Sequence, residues 1–107
     1  MTTTTTTKIA ELNDRLRKGD LSVGQINISG FIKLDYRLLL PAIAEFNGFT
    51  EDNDPYDEHD FGKFISHGDE YFFKIDYYDL NLEYASPDPA DPMVTKRVLT
   101  IMLAGDY

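Results

Sequence analysis

The sequence predicts a single small α+β domain in the order α-β-α-β-β-α, with its helices packed on one face of a small antiparallel sheet. Three observations carry that expectation. Apolar residues recur at helical spacing near Ile9, Tyr36 and Val94; they alternate with polar ones near Ile26 and Phe73; and 107 residues leave room for one core. A chain of this length removes roughly 65% of its unfolded surface on folding, so the core needs no metal or disulfide to hold it.

The run Thr2 to Thr7 is β-branched and polar, which predicts a disordered terminus over residues 1–7 ahead of one α+β domain over residues 8–107. From Lys8 to Lys18, Ile9, Leu12 and Leu16 fall at intervals of three and four. Arg15, Arg17 and Lys18 occupy the last turn, and Gly19 stands where a C-terminal cap belongs, so a short amphipathic helix is expected. Val23 to Leu34 has period two, with Ile26, Ile28 and Ile32 on one face and Asn27, Ser29 and Phe31 on the other. Gly24 and Gly30 interrupt it, and one strand bent at Gly30 is expected.

Asp35 to Phe46 is helical in pattern, with Tyr36, Leu39, Leu40, Ile43 and Phe46 as its stripe and Asp35 as its cap. Pro41 cannot donate to the carbonyl of Arg37, so this helix kinks or begins near Leu40. Asn47 to Asp60 is polar, acidic and turn-rich, a loop of fourteen residues. Loops of that length are uncommon in small domains and are often functional.

Phe61 to Ser66 and Tyr71 to Leu80 flank His67-Gly68-Asp69-Glu70, which predicts a hairpin with a four-residue connection. Phe73, Ile75 and Tyr77 share its core face, and Phe72, Lys74, Asp76 and Tyr78 share the wetter one. Leu82 and Tyr84 extend the sheet, and Ser86 to Pro92, with three prolines, is a stiff connector. Asp91 as cap and Pro92 at the first helical position then open a final helix with Val94, Val98, Ile101, Met102 and Leu103 as its buried stripe.

Charge narrows the function. The chain carries 19 acidic and 10 basic side chains, a formal net charge of −9. The first fifty residues hold five acids and six bases, whereas the rest hold fourteen acids against Lys63, Lys74, Lys96 and Arg97, a balance of −10. That asymmetry argues against direct nucleic-acid or anionic-membrane binding and for a basic partner. The absence of cysteine excludes disulfides, thiolate metal sites and a cysteine nucleophile. No apolar window approaches a membrane span, and the N-terminus lacks the basic and apolar parts of a signal peptide, so a cytoplasmic protein is expected.

The densest constellation is Glu51, Asp52, Asp54, Asp57, Glu58, His59 and Asp60. It does not follow the calcium-loop pattern: a loop starting at Asp52 needs glycine where Asp57 stands and an acid where Lys63 stands. Catalysis by carboxylates or by His59 requires a pocket that shifts their pKa values, and adjacent acids in a wet loop are the opposite environment. No catalytic residue, no cofactor and no metal ligand is therefore expected. The expectation is a non-enzymatic interaction protein that binds a basic protein surface, with Glu51, Asp52, Asp54, Asp57, Glu58, Asp60, Asp76, Tyr78 and Asp79 as the contact residues, tyrosine supplying area at low entropic cost. The alternative is a small metal-dependent enzyme or metal-binding protein using Glu58, His59 and Asp60 with Asp54.

Asn53-Asp54-Pro55-Tyr56, Glu58-His59-Asp60-Phe61-Gly62, Lys74 to Asp79, Ser86 to Pro92 and Thr95 to Ala104 together resemble a family of short proteobacterial proteins of unknown function, often carried on plasmids and other mobile elements. The resemblance covers roughly residues 8 to 107 and brings no activity with it. It implies a bacterial, cytoplasmic protein in a mobile-element setting. By analogy with small acidic proteins of such elements, it extends the expectation to a DNA-mimicking inhibitor of host nucleic-acid-processing defence, of the anti-CRISPR or anti-restriction type. Mimicry by the loop requires it to be extended, so that Asp52 with Asp54 and Glu58 with Asp60 project to one side at about 6.6 Å.

Overall fold

The computed structural model describes residues 3–30, 32 and 34–106. Its elements are helix α1 (Thr3–Arg17), strand β1 (Gly24–Ile28), a 3-10 turn (Tyr36–Leu38), helix α2 (Leu40–Glu45), strands β2 (Phe61–Ser66), β3 (Asp69–Tyr78) and β4 (Lys96–Leu103), and a closing 3-10 turn (Ala104–Asp106). The four strands form one sheet in the order β1-β4-β3-β2. The α+β class therefore holds.

Helix α1 starts at Thr3, six residues before Ile9 opens the apolar pattern, and Thr5 and Thr6 are half-buried. Residues 3–7 of the expected disordered terminus are thus helical, while Met1 and Thr2 lie outside the described residues: Ile9, Leu12 and Leu16 anchor the segment, and adding a turn to an existing helix avoids the cost of nucleation. The far end closes as read, with Gly19 at φ 102°, its N–H on the carbonyl of Leu16 and that of Asp20 on the carbonyl of Arg15. This is the paired bonding of a Schellman cap.

Strand β1 stops at Ile28, which is 44% exposed, and the chain turns at Gly30 with φ 76°. The expected continuation to Leu34 is absent, although Ile32 and Leu34 still pack on the core; Phe31 and Lys33 lie outside the described residues. Pro41 acts as anticipated. Asp35 accepts from the N–H of Arg37 to cap the 3-10 turn, and α2 begins at Leu40 with proline in its first turn.

The hairpin is tighter than expected. Only His67 and Gly68 connect β2 to β3, both with positive φ (52° and 85°), the geometry of a two-residue turn. Beyond β3, Leu82 and Tyr84 do not extend the sheet; a single bridge joins Tyr78 to Ala85.

The largest departure is at the C-terminus. Residues Lys96–Leu103 form a central strand rather than a helix, parallel to β1 and antiparallel to β3, so the sheet is mixed. Asp91 accepts from the N–H of Met93, capping a turn only. The physical reason is burial on both faces. Leu99 and Ile101 lie at 0% exposure on the helix-covered face, and Val98 and Met102 are nearly as buried on the other. A strand buried twice reads as an unbroken apolar run, and its spacing then mimics a helix stripe.

Leu12, Leu16 and Ile43 from the helices, with Leu39 just ahead of α2, meet Phe64, Tyr71, Phe73, Ile75, Leu99 and Ile101 from the sheet in one core. Both helices thus pack on one face, as expected. The opposite face presents Lys74, Asp76, Tyr78, Thr100, Gln25 and Asn27 around an open groove.

Candidate functional site

The long loop from Asn47 to Asp60 is ordered by its own acids. Asn53 Oδ1 accepts from the N–H of Thr50, and Asn53 Nδ2 donates to the carbonyl of Gly48. Asp54, only 6% exposed, turns inward and accepts from the N–H groups of Glu58 (2.9 Å) and His59 (3.1 Å). Those bonds hold a chain that passes through left-handed φ at both Asp57 (56°) and His59 (59°). A locally extended loop is therefore not what forms: residues 51–53 and 55–56 lie in turns, and Asp54 points away from solvent. The even carboxylate ladder expected of residues 52–60 is absent.

Helix α1 supplies the loop's anchor. Asp14 faces His59 Nδ1 at 3.0 and 3.1 Å and also accepts from Arg17 at 2.6 Å. Arg17 is buried and donates to the carbonyls of Ile43 and Phe46, clamping the end of α2. The imidazole of His59 stacks on Phe49, with centroids 4.2 Å apart and planes within 2°, while the guanidinium of Arg17 lies 5.1 Å from the same ring. His59 Nε2 faces outward, 3.5 Å from Asp57 Oδ1.

A second polar cluster lies deeper. Asn13 and Arg97 are both at 0% exposure. Arg97 Nε donates to Asn13 Oδ1 (2.7 Å), and its other terminal amine reaches the carbonyl of Pro89. Asn13 Nδ2 donates to the carbonyl of Glu58 (2.9 Å) and to Tyr77 Oη (2.8 Å), whose own proton goes to Glu58 Oε1 at 2.6 Å. One asparagine thereby joins helix, loop, hairpin and central strand. Burial and the bond to Glu58 push the Tyr77 hydroxyl well above the ordinary phenol range, so it stays a donor. Burial pulls the Arg97 guanidinium down from its usual value, and Tyr77 and Glu58 oppose that shift.

The acids expected to contact a partner therefore divide. Glu51, Asp52 and Asp57 are exposed; Asp54 is buried as a loop cap; Glu58 is half-buried and committed to Tyr77. Asp60 is half-buried, and its pKa is raised to about 6, first by burial and then by Glu58. Asp76 and Tyr78 project from the helix-free face, with Asp76 paired to Lys74 at 3.1 Å, and Asp79 organises the following turn by accepting from Asn81 and Glu83. Asn13, Asp14, Arg17, Phe49 and Arg97 were not singled out by the sequence, although Asn13 falls four residues after Ile9 and three before Leu16, on the buried stripe. A polar residue on that stripe was the available signal.

Asp60 yields a pH prediction. Its folded pKa of about 6 exceeds the ordinary 3.8, so the unfolded chain ionises more readily. The group favours folding below pH 4, and that contribution is lost as pH rises through 6. Asp60→Asn should therefore raise stability at pH 7 by ~1 kcal/mol, after discounting for partial solvent screening, and by almost nothing at pH 4. Urea unfolding at the two pH values measures this; a variant less stable at pH 7 would contradict it.

A family model described as "Protein of unknown function (DUF3768)" matches residues 5–106. The chain belongs to that family. No curated protein and no solved structure matches it. None of the described helices is long and apolar enough to cross a membrane.

Proposed function

We propose that this protein is a non-enzymatic interaction protein whose acidic second half engages a basic protein surface, the cationic face of a nucleic-acid-binding protein, and so acts as an inhibitor by presenting carboxylates where nucleic acid presents phosphates. The setting would be bacterial, cytoplasmic and associated with a mobile element. One observation carries the reading. Glu51, Asp52 and Asp57 stand exposed on a loop held by internal hydrogen bonds, with no Lys or Arg ion pair to any of them among the described residues. Fixed carboxylates without a Lys or Arg partner bind a cationic surface without the entropic cost of ordering a loop. Asp79, Glu83, Asp88 and Asp91 prolong the same charge along a stretch, residues 75–95, that contains no base. Because the loop is folded into turns, recognition depends on its three exposed acids and this second segment rather than on a regular ladder.

The test is capture from bacterial cytoplasm on the immobilised full chain at low and high salt. The expected partner is a basic nucleic-acid-binding protein whose retention falls at least about tenfold between 50 and 500 mM salt, as screening predicts. It should be displaced by DNA and lost with the triple variant Glu51→Gln, Asp52→Asn, Asp57→Asn, which leaves the structural acids Asp54 and Glu58 untouched. A partner retained in high salt and by the triple variant would overturn the reading.

A further inference from the structure

We propose that Asp54, Asp57 and His59 form a binding site for a first-row divalent transition ion of the zinc class, with Asp14 as the positioning residue behind His59. A carboxylate oxygen of each aspartate and a ring nitrogen of His59 lie within 4.8 Å of one another. Because Nδ1 is engaged by Asp14, Nε2 is the nitrogen open to an ion, and Asp57 Oδ1 already faces it at 3.5 Å.

Two further observations point to a cation. The first is the burial of Asp54. This carboxylate is 94% removed from solvent, a burial set by its 6% exposure, yet two peptide N–H groups are its hydrogen-bond donors and no Lys or Arg ion pair reaches it among the described residues. A buried carboxylate with no opposing charge is costly, and each of its oxygens keeps a lone pair free for a metal. The second is the way His59 is held. Its Nδ1 is bonded by a carboxylate from a different element, 45 residues away in sequence, and its ring is fixed against Phe49. That is the support given to metal-bound imidazoles, since it fixes the ring and leaves Nε2 as the nitrogen free to bind.

At 3.5 Å, His59 Nε2 and Asp57 Oδ1 stand at the separation of two ligands on one tetrahedral ion with bonds of about 2.0–2.1 Å. The donor set, one imidazole nitrogen with carboxylate oxygens, favours the zinc class over Ca²⁺ and Mg²⁺, which take oxygen ligands. Three protein ligands leave a position for water. None of this rests on the proposed binding of a basic partner.

The test is calorimetric titration of Zn²⁺ into the chelator-stripped full chain at pH 7.5, paired with thermal melts. One ion per chain and a higher melting midpoint are expected, with a smaller shift for equal Mg²⁺ or Ca²⁺. Asp57, whose side chain is 85% exposed, makes the decisive variant. Asp57→Asn should keep the metal-free midpoint and bind Zn²⁺ at least about tenfold more weakly. Asp14→Asn should lose ten- to a hundredfold in affinity without removing a ligand. His67→Gln, on the distant hairpin turn, should bind as the parent does. Absence of saturable uptake, or uptake unchanged by Asp57→Asn and His59→Gln, would overturn the site and leave His59 as a clamp between loop and helix; loss of uptake with His67→Gln alone would place the ion elsewhere.

Discussion

Replacing Arg97 with alanine is expected to cost about 3–5 kcal/mol of folding stability, the range seen when one partner of a buried polar network is removed. Arg97 is wholly buried, donates to Asn13 and to the carbonyl of Pro89, and holds its guanidinium 5.1 Å from the centre of the Tyr77 ring. Truncation empties that volume, strands Asn13 Oδ1 and the Pro89 carbonyl without donors, and removes the positive charge opposite Glu58. Against a typical total of 5–15 kcal/mol, such a loss brings the domain close to unfolding at ambient temperature. Arg97→Met separates the causes, because it keeps the stem and drops the charge. Since one terminal amine of Arg97 has no partner, methionine should recover a clear part of the loss. Urea denaturation of the three proteins measures both; an alanine variant within 1 kcal/mol of the parent would refute the argument.

Gly24→Ala is the second large effect, expected at about 3 kcal/mol. Gly24 opens β1 directly opposite Arg97 in the parallel register, and an added Cβ would lie 2.3 Å from the Arg97 carbonyl oxygen and 2.8 Å from its Cβ. The obstruction includes backbone of the central strand, so no rotamer change relieves it; β1 has to move off β4 or the register has to shift. The expected signature is a lower melting midpoint with faster amide exchange in β1 and β4 than in the β2–β3 hairpin. Unchanged exchange in β1 would show that the strand tolerates the methyl group. The two variants probe one place, since Arg97 both faces Gly24 across the strands and feeds the network beneath them.

Much of the architecture was legible because it rests on local rules. Helix α1, its glycine cap, the delay of α2 to Leu40 and the hairpin all follow from spacing, a missing N–H or a positive φ within a few residues. The fourteen-residue loop was legible for the same reason, and so was its acid content. Its internal economy was not. That Asp54 would turn inward while Asp57 stayed out depends on N–H groups four and five residues away and on a helix 45 residues distant. Sequence reading weighed His59 with its loop neighbours Asp54, Asp57, Glu58 and Asp60, whereas the folded chain also ties it to Asp14, 45 residues away.

The sequence by itself determined an α+β domain with helices on one sheet face and an acid excess confined to its second half. Only the tertiary structure decided that residues 96–103 form the central strand, that the sheet is mixed, and that Asn13 and Arg97, 84 residues apart, share a bond. The reason is common to all three. Periodicity reports which face of an element is wet, and β4 buries Val98 and Met102 on one face as well as Leu99 and Ile101 on the other; a buried polar side chain is satisfied by partners that sequence distance does not reveal. Charge can be counted along a chain, but which acids remain free to meet a partner is settled by burial and hydrogen bonding once the chain has folded.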